Sequence, residues 1–302
     1  MLFRFLVSSA FGLALAAAVS AATAADRILI FTKTAGTREN NIADSRNPLK
    51  AFYETKGLTV DTSENASLFS DTGLARYKAV VFLKTTGDFL NDAQQTAFEK
   101  WFKAGNGAQI IHAALDGEKN WAFYGKIIGG AYFQSLPGDS NTVHSIIVED
   151  SLDPSTRAMP KPWQRKDEIY GFRANPRAAK DPAMHILVKV DETSYGKNPG
   201  ADHPMSWYCE YLGGRAWTTA IGHVTPSYTA KVDSVFLYHL WGGMEYLLKR
   251  EVVPIAFPTA KRKTAGRALK AIFPSGARFG DGLEKDARGR ETGRTTGERP
   301  GR

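Results

Sequence analysis

Four strand-like runs recur along the first half of the chain with helix-period segments between them, and this alternation limits what the chain can become. The runs are RILIF (27–31), LTVDTSE (58–64), KAVVFLKT (78–85) and AQIIH (108–112). Between the first two, SRNPLKAFYETKG (45–57) places Leu49, Phe52 and Tyr53 on one side of a helix and ends on Gly57. DTGLARY (71–77) is a short connector. Asn91 can cap DAQQTAFEKWFKAG, whose Phe98, Trp101 and Phe102 form an apolar stripe that stops at Gly105. Continuous apolar strands alternating with amphipathic helices make a parallel sheet covered on both faces. In such open sheets ligands bind outside the carboxyl ends of the strands. His112 stands at one of those ends, with Asp116 four residues on.

Beyond residue 118 the pattern changes. NWAFYGKIIGG reads as a helix, but VHSIIVED (143–150) and MHILVKV (184–190) alternate, and WYCEYLGGRAWTTAIGH (207–223) reads as a hairpin turning at Gly213-Gly214. SVFLYHLWGGMEYLLK (234–249) closes the body as an apolar helix. The expected fold is α/β, a mainly parallel sheet flanked by helices with additional antiparallel strands.

Charge and cysteine usage narrow the function. The chain carries a formal net charge of +8, but residues 259–302 hold 12 Lys or Arg against 5 Asp or Glu, and Arg4 supplies one more positive charge. The body from 26 to 258 is therefore balanced, and a nucleic-acid partner is not expected. Residues 1–25 have the layout of a cleavable signal peptide: Arg4, an apolar stretch, then small residues through Ala22-Thr23-Ala24. Three segments follow: a signal peptide (1–25), one domain (26–250), and a basic Gly/Arg/Thr-rich tail (259–302) expected to be disordered. The mature protein is expected to be periplasmic or secreted, with no transmembrane segment. The lone cysteine, Cys209, excludes an internal disulfide and sits mid-strand among aromatics, as a buried structural thiol would.

Of six histidines, His112, His203 and His223 stand at strand ends or in loops. His144 and His185 read as surface or edge residues of alternating strands, and His239 as a core histidine of the last helix. Asp116, Asp167-Glu168 and Asp202 are acids near these elements. Histidines with a carboxylate can act as acid and base near neutral pH or hold a divalent metal ion, and the spacing does not choose between them. No HExxH and no G-x-S-x-G occurs. The aromatics Trp121, Tyr124, Tyr170, Trp207 and Trp217 read mostly as core, yet some flank the polar loops, and aromatic faces beside carboxylates suit a carbohydrate.

FTKTAGTRENNI, FLKTTGDFL, IIHAALD, WAFYGKIIGGAYF, RKDEIYGF, DHPMSWYCEYLGGRAWTTAIGH and HLWGGMEYLL follow one another in an order that resembles the ThuA-like (trehalose-utilisation) family. The likeness spans residues 27 to 248. It implies a flavodoxin-like fold of the class I glutamine amidotransferase type and a link to sugar metabolism. In those amidotransferases a nucleophilic cysteine follows a strand. Here the matching strand end carries His112 with no cysteine near, which speaks against glutamine hydrolysis. Carried over by resemblance, the polar positions are His112, Asp116, Glu168, Tyr170, His203 and His223. Two positions depart: Glu39 stands where many relatives have a histidine, and Ile111 where they have glycine. The resulting expectation is an exported protein that hydrolyses or isomerises a sugar or oxidised sugar. Its catalytic residues would be His112, Glu168 and His223, and its substrate contacts Arg38, Asp116, Tyr170 and His203. His112, His203 and His223 are the candidate ligands if a divalent metal is held. The alternative is a sugar- or glycan-binding domain without turnover.

Overall fold

The computed structural model describes residues 25–249. The expected signal peptide up to residue 24 and the basic tail lie outside these residues. The first four strands are β1 (Arg27–Phe31), β2 (Thr59–Ser63), β3 (Ala79–Leu83) and β4 (Gly107–Ile111). They pair in parallel in the order β2-β1-β3-β4. Every residue of β3 and β4 is buried; β3 is wholly apolar, and the one polar side chain of β4, Gln109, accepts from the Tyr53 hydroxyl and donates to the Leu240 carbonyl. The helices between them are α1 (Ile42–Thr55), the single turn α2 (Asp71–Leu74) and α3 (Asp92–Lys103). Asn91 and Gln94 form a reciprocal capping box at the start of α3. α1 begins three residues before the expected Ser45, because Ile42 continues the buried stripe of Ser45, Leu49 and Tyr53.

The second half supplies α4 (Ala122–Ile127), β5 (Phe133–Gly138), β6 (Val143–Val148), β7 (Trp163–Lys166), β8 (Ile169–Phe172), β9 (His185–Asp191), β10 (Pro204–Tyr211), β11 (Gly214–Thr219) and α5 (Ala230–Leu247). β11 is laid parallel against β4, and antiparallel β10, β9, β6 and β7 extend the sheet from it. β5 and β8 form a separate ribbon. The register places Leu83, Ile111 and Thr219 at one level, so Lys84, His112 and Ala220 leave three adjacent parallel strands side by side. That edge is where the site forms.

Three expectations shift. The hairpin turns on Leu212 and Gly213, both at positive φ (48° and 98°), while Gly214 already pairs with Tyr211. Gly214 is required for packing instead: a Cβ there would lie 2.4 Å from the Phe102 ring. His144 is wholly buried rather than at a surface, since β6 is an interior strand between β9 and β7, and its Nε2 bonds the Asp139 carbonyl at 2.8 Å. His223 does not end β11 but follows it by four residues. The readings of His185 and His239 agree with the structure: His185 is exposed and pairs with Asp150, and His239 is buried with Nδ1 3.0 Å from the Ser155 carbonyl. No helix among the described residues is long and apolar enough to cross a membrane.

The HLWGGMEY segment of α5 is a packing device. A Cβ on Gly242 would lie 2.3 Å from the Ser155 backbone nitrogen, and one on Gly243 would lie 2.4 Å from the Trp217 ring. Gly242→Ala is expected to lower unfolding free energy by about 1–3 kcal/mol, as overpacking does, read from denaturant midpoints at unchanged slope.

Candidate functional site

His112 is the first residue beyond β4 and opens a short 3₁₀ segment, His112–Asp116. Its φ of 52° is the left-handed region, which for a non-glycine residue costs about 1–3 kcal/mol. That turn directs the fully buried ring between two partners. Nδ1 lies 2.7 Å from the Ala220 carbonyl, which can only accept, so Nδ1 carries a proton. Nε2 is left facing the Tyr170 hydroxyl at 2.8 Å and Glu168 Oε2 at 3.4 Å. The rings of His112 and Tyr170 lie 4.3 Å apart.

Glu168 and Tyr170 come from the β7–β8 corner and His223 from the segment after β11. Asp167 joins them: its carboxylate accepts from the backbone N–H of Glu168 at 3.0 Å, of Gly222 at 3.1 Å and of His223 at 2.9 Å. Arg165 pairs with Asp167 at 2.7 Å and with Asp233 of α5 at 3.1 Å, all three side chains being buried. Gly222, at φ 137°, lets the chain pass close to the site; a Cβ there would sit 2.7 Å from the Tyr228 hydroxyl and 3.4 Å from the His112 Cβ. His223 is thereby brought to 5.4 Å from His112, ring centre to ring centre. Its buried Nδ1 lies 3.2 Å from Glu168 Oε2 without forming a hydrogen bond.

One carboxylate oxygen thus stands between two imidazoles. Burial acts against a charge on His112, but Glu168, with Glu39 and Asp167 behind it, outweighs burial and raises its pKa above the ordinary histidine value. Burial and then the charge on His112 lower that of His223. Burial also opposes the charge on Glu168, yet the two histidines hold its carboxyl below the usual range. Burial drives the Tyr170 hydroxyl well above its usual value, so it stays a neutral donor or acceptor. Divergent proton affinities in adjacent groups are the arrangement expected of an acid and a base.

A family model described as ThuA, trehalose utilisation, matches residues 27–247. The chain belongs to the ThuA family. Among solved structures, a ThuA-like protein from Bacteroides uniformis aligns at a TM-score of 0.62 and 20% identity, over 75% of this chain and 93% of that one. A second, from Parabacteroides merdae, aligns at 0.57 and 21%, over 78% and 95%. At such identity these likenesses establish the fold. No curated protein sequence matches the chain.

In this ThuA-family chain the expected residues divide. His112, Glu168, Tyr170 and His223 converge. His203 does not join them: Nδ1 is held by Glu192 at 2.8 Å, and Nε2 bonds the Tyr170 carbonyl at 2.8 Å, so it braces β8 from behind. Asp116 pairs with Lys119, and its carbonyl accepts from Gly87 N–H. Arg38 is committed to Glu64 at 2.8 Å. Cys209 is buried in β10, its thiol pushed up to about 12 by burial. Two members were missed. Glu39, set aside in the sequence as a departure from relatives, reaches the site, and one ligand atom each from Glu39, His112 and His223 lie within 4.8 Å of one another. Lys84, buried at the end of β3, pairs with Glu39. Its signal was a lysine closing an otherwise apolar strand, as His112 closes the next one.

Histidine ring resonances followed against pH by NMR should show His112 titrating above an ordinary histidine and His223 below. Glu168→Gln should lower the His112 value. Since the raised His112 value contributes stability below the unfolded-state pKa of about 6.5 and loses it as pH climbs through the folded value, the Glu168→Gln stability deficit should be larger on the acid side of that window than above it.

Proposed function

We propose that the protein is an exported enzyme of carbohydrate metabolism, in which His112 donates and His223 accepts a proton during hydrolysis or isomerisation of a sugar or oxidised sugar. The observation that carries this reading is the single Glu168 oxygen, 3.4 Å from one imidazole and 3.2 Å from the other. It favours the proton on His112, where the ring is buried, and leaves His223, a third exposed, as the neutral base. Hydrolysis needs an acid at the leaving oxygen and a base on water; isomerisation needs a base at carbon and an acid at the neighbouring oxygen. The same pair serves either. The trehalose-utilisation description of the family supports the substrate class.

Tyr170 adds a neutral hydroxyl next to the acid, and Asp116, near enough to influence Tyr170, is a second contact for substrate hydroxyls. His203 supports Tyr170 from behind, and Arg38 has no part in this scheme.

Purified mature protein should turn over a member of a disaccharide panel that begins with trehalose and its oxidised derivatives. His112→Ala and His223→Ala should each lower turnover on the order of a hundredfold or more in a folded protein. Full turnover in both variants would remove the acid–base roles, and stabilisation by sugars with no turnover of any would instead favour a binding domain. Export predicts a mature N-terminus near Ala24 or Ala25, checked by N-terminal sequencing of protein from the periplasm or medium.

A further inference from the structure

Glu39, His112 and His223 are disposed as a three-ligand metal site would be, with one donor atom each inside 4.8 Å. Nitrogen and carboxylate donors of this kind suit zinc and similar divalent ions. A fourth residue changes what this group does. Lys84 is itself buried, and its side chain is wholly covered. Its Nζ lies 2.5 Å from Glu39 Oε2, 3.2 Å from Asn41 Oδ1 and 3.3 Å from the His223 carbonyl oxygen. An ammonium has three N–H donors, and these three acceptors use all of them. The cation is therefore fixed, and it rests on the carboxylate that a metal would need.

We propose that Lys84 is a built-in counter-cation for the Glu39–His112–His223 group, which neutralises Glu39 and keeps divalent metal ions out, leaving the histidines free for proton transfer.

Two features support this. A divalent ion among the three donors would lie close to a buried positive charge, where solvent and salt screen repulsion poorly. The second is the position of Glu39 itself. A neutral side chain there would bring no charge to answer Lys84, whereas glutamate does. Glu39 and Lys84 thus work as one unit, and the φ of 54° at Lys84 turns it into the site at the same level as His112. The proposal concerns metal affinity, so it stands or falls separately from turnover.

The test is titration of the folded full-length mature protein with Zn²⁺ by calorimetry, with circular dichroism as the control for folding. Wild type should bind weakly. Lys84→Met, which keeps the unbranched side chain up to the position of Cε and removes the charge, should bind one equivalent on the order of tenfold or more tighter. Lys84→Arg should stay as weak as wild type. Adding Glu39→Gln to Lys84→Met should abolish the gain, because the freed carboxylate is what the ion takes. Wild type binding one Zn²⁺ as tightly as Lys84→Met overturns the proposal, as does a gain that survives loss of Glu39. If Lys84→Met does not fold, Lys84→Gln replaces it, and tight stoichiometric binding by wild type overturns the proposal without any variant.

Discussion

A buried carboxylate, Asp167, is the constraint on which the site depends. Three backbone N–H groups from two separate segments converge on it, and those segments carry Glu168 and His223. A charged carboxylate in the interior is costly unless its oxygens are filled, and here amides and Arg165 fill them. Burial would raise its pKa, yet Arg165 with His112 and His223 holds it below the usual carboxylate range, so the charge persists. Arg165 passes the constraint to Asp233, at the kink near the start of α5. The corner after β7, the segment after β11 and the last helix are thus fixed to one another through one ionic centre. Removing one partner of such a buried pair costs about 3–5 kcal/mol. The cost arises because the survivor is left charged without compensation.

Within that frame the proton affinities of the two imidazoles run against their order of burial. His112 is the more deeply enclosed imidazole, yet it has the higher proton affinity, because its Nε2 faces the Glu168 carboxylate while its Nδ1 is saturated by a carbonyl. His223 is less enclosed and has the lower affinity, since burial and then a charged His112 lower it and its Nδ1 makes no hydrogen bond to Glu168 that would offset them. Exposure alone would rank the two the other way. The ranking is set by which ring the Glu168 carboxylate hydrogen-bonds, and the Ala220 carbonyl, brought there by the parallel register of β11 on β4, holds that ring with its Nε2 toward Glu168.

The parallel half of the sheet was legible in the sequence because its inner strands β1, β3 and β4 are buried on both faces and read as largely apolar runs. His112 was legible because a polar residue ended such a run. His223, Glu168 and Tyr170 stood out singly as a loop histidine, a nearby acid and an aromatic residue, but their convergence was not legible, since the approach of their two segments depends on Asp167. His203 was misleading: a histidine beside a strand looked like a ligand, but both its nitrogens are used to brace β8. Glu39 and Lys84 went unread for a different reason. Each is unremarkable alone, and only the three-dimensional approach of the loop after β1 to the end of β3 turns them into a pair. Local patterns carry the periodicity of strands and helices, but not the partner of a buried charge.

The two left-handed residues Lys84 and His112 connect the fold to the chemistry. Both directly follow apolar strands that pair in register, and both have φ near +50°. A residue continuing in extended conformation would carry on along the strand; the left-handed turn instead directs the side chain into the buried group of partners beyond the strand ends. Each such turn costs about 1–3 kcal/mol and persists only if surrounding contacts over-determine it. For His112 those contacts are Ala220, Tyr170 and Glu168; for Lys84 they are Glu39, Asn41 and the His223 carbonyl. The carbonyl of His223 accepts from Lys84 while its ring faces Glu168, so the two strained positions share a residue. The imidazole pair and the lysine–glutamate pair are therefore joined through His223 at the edge of the sheet.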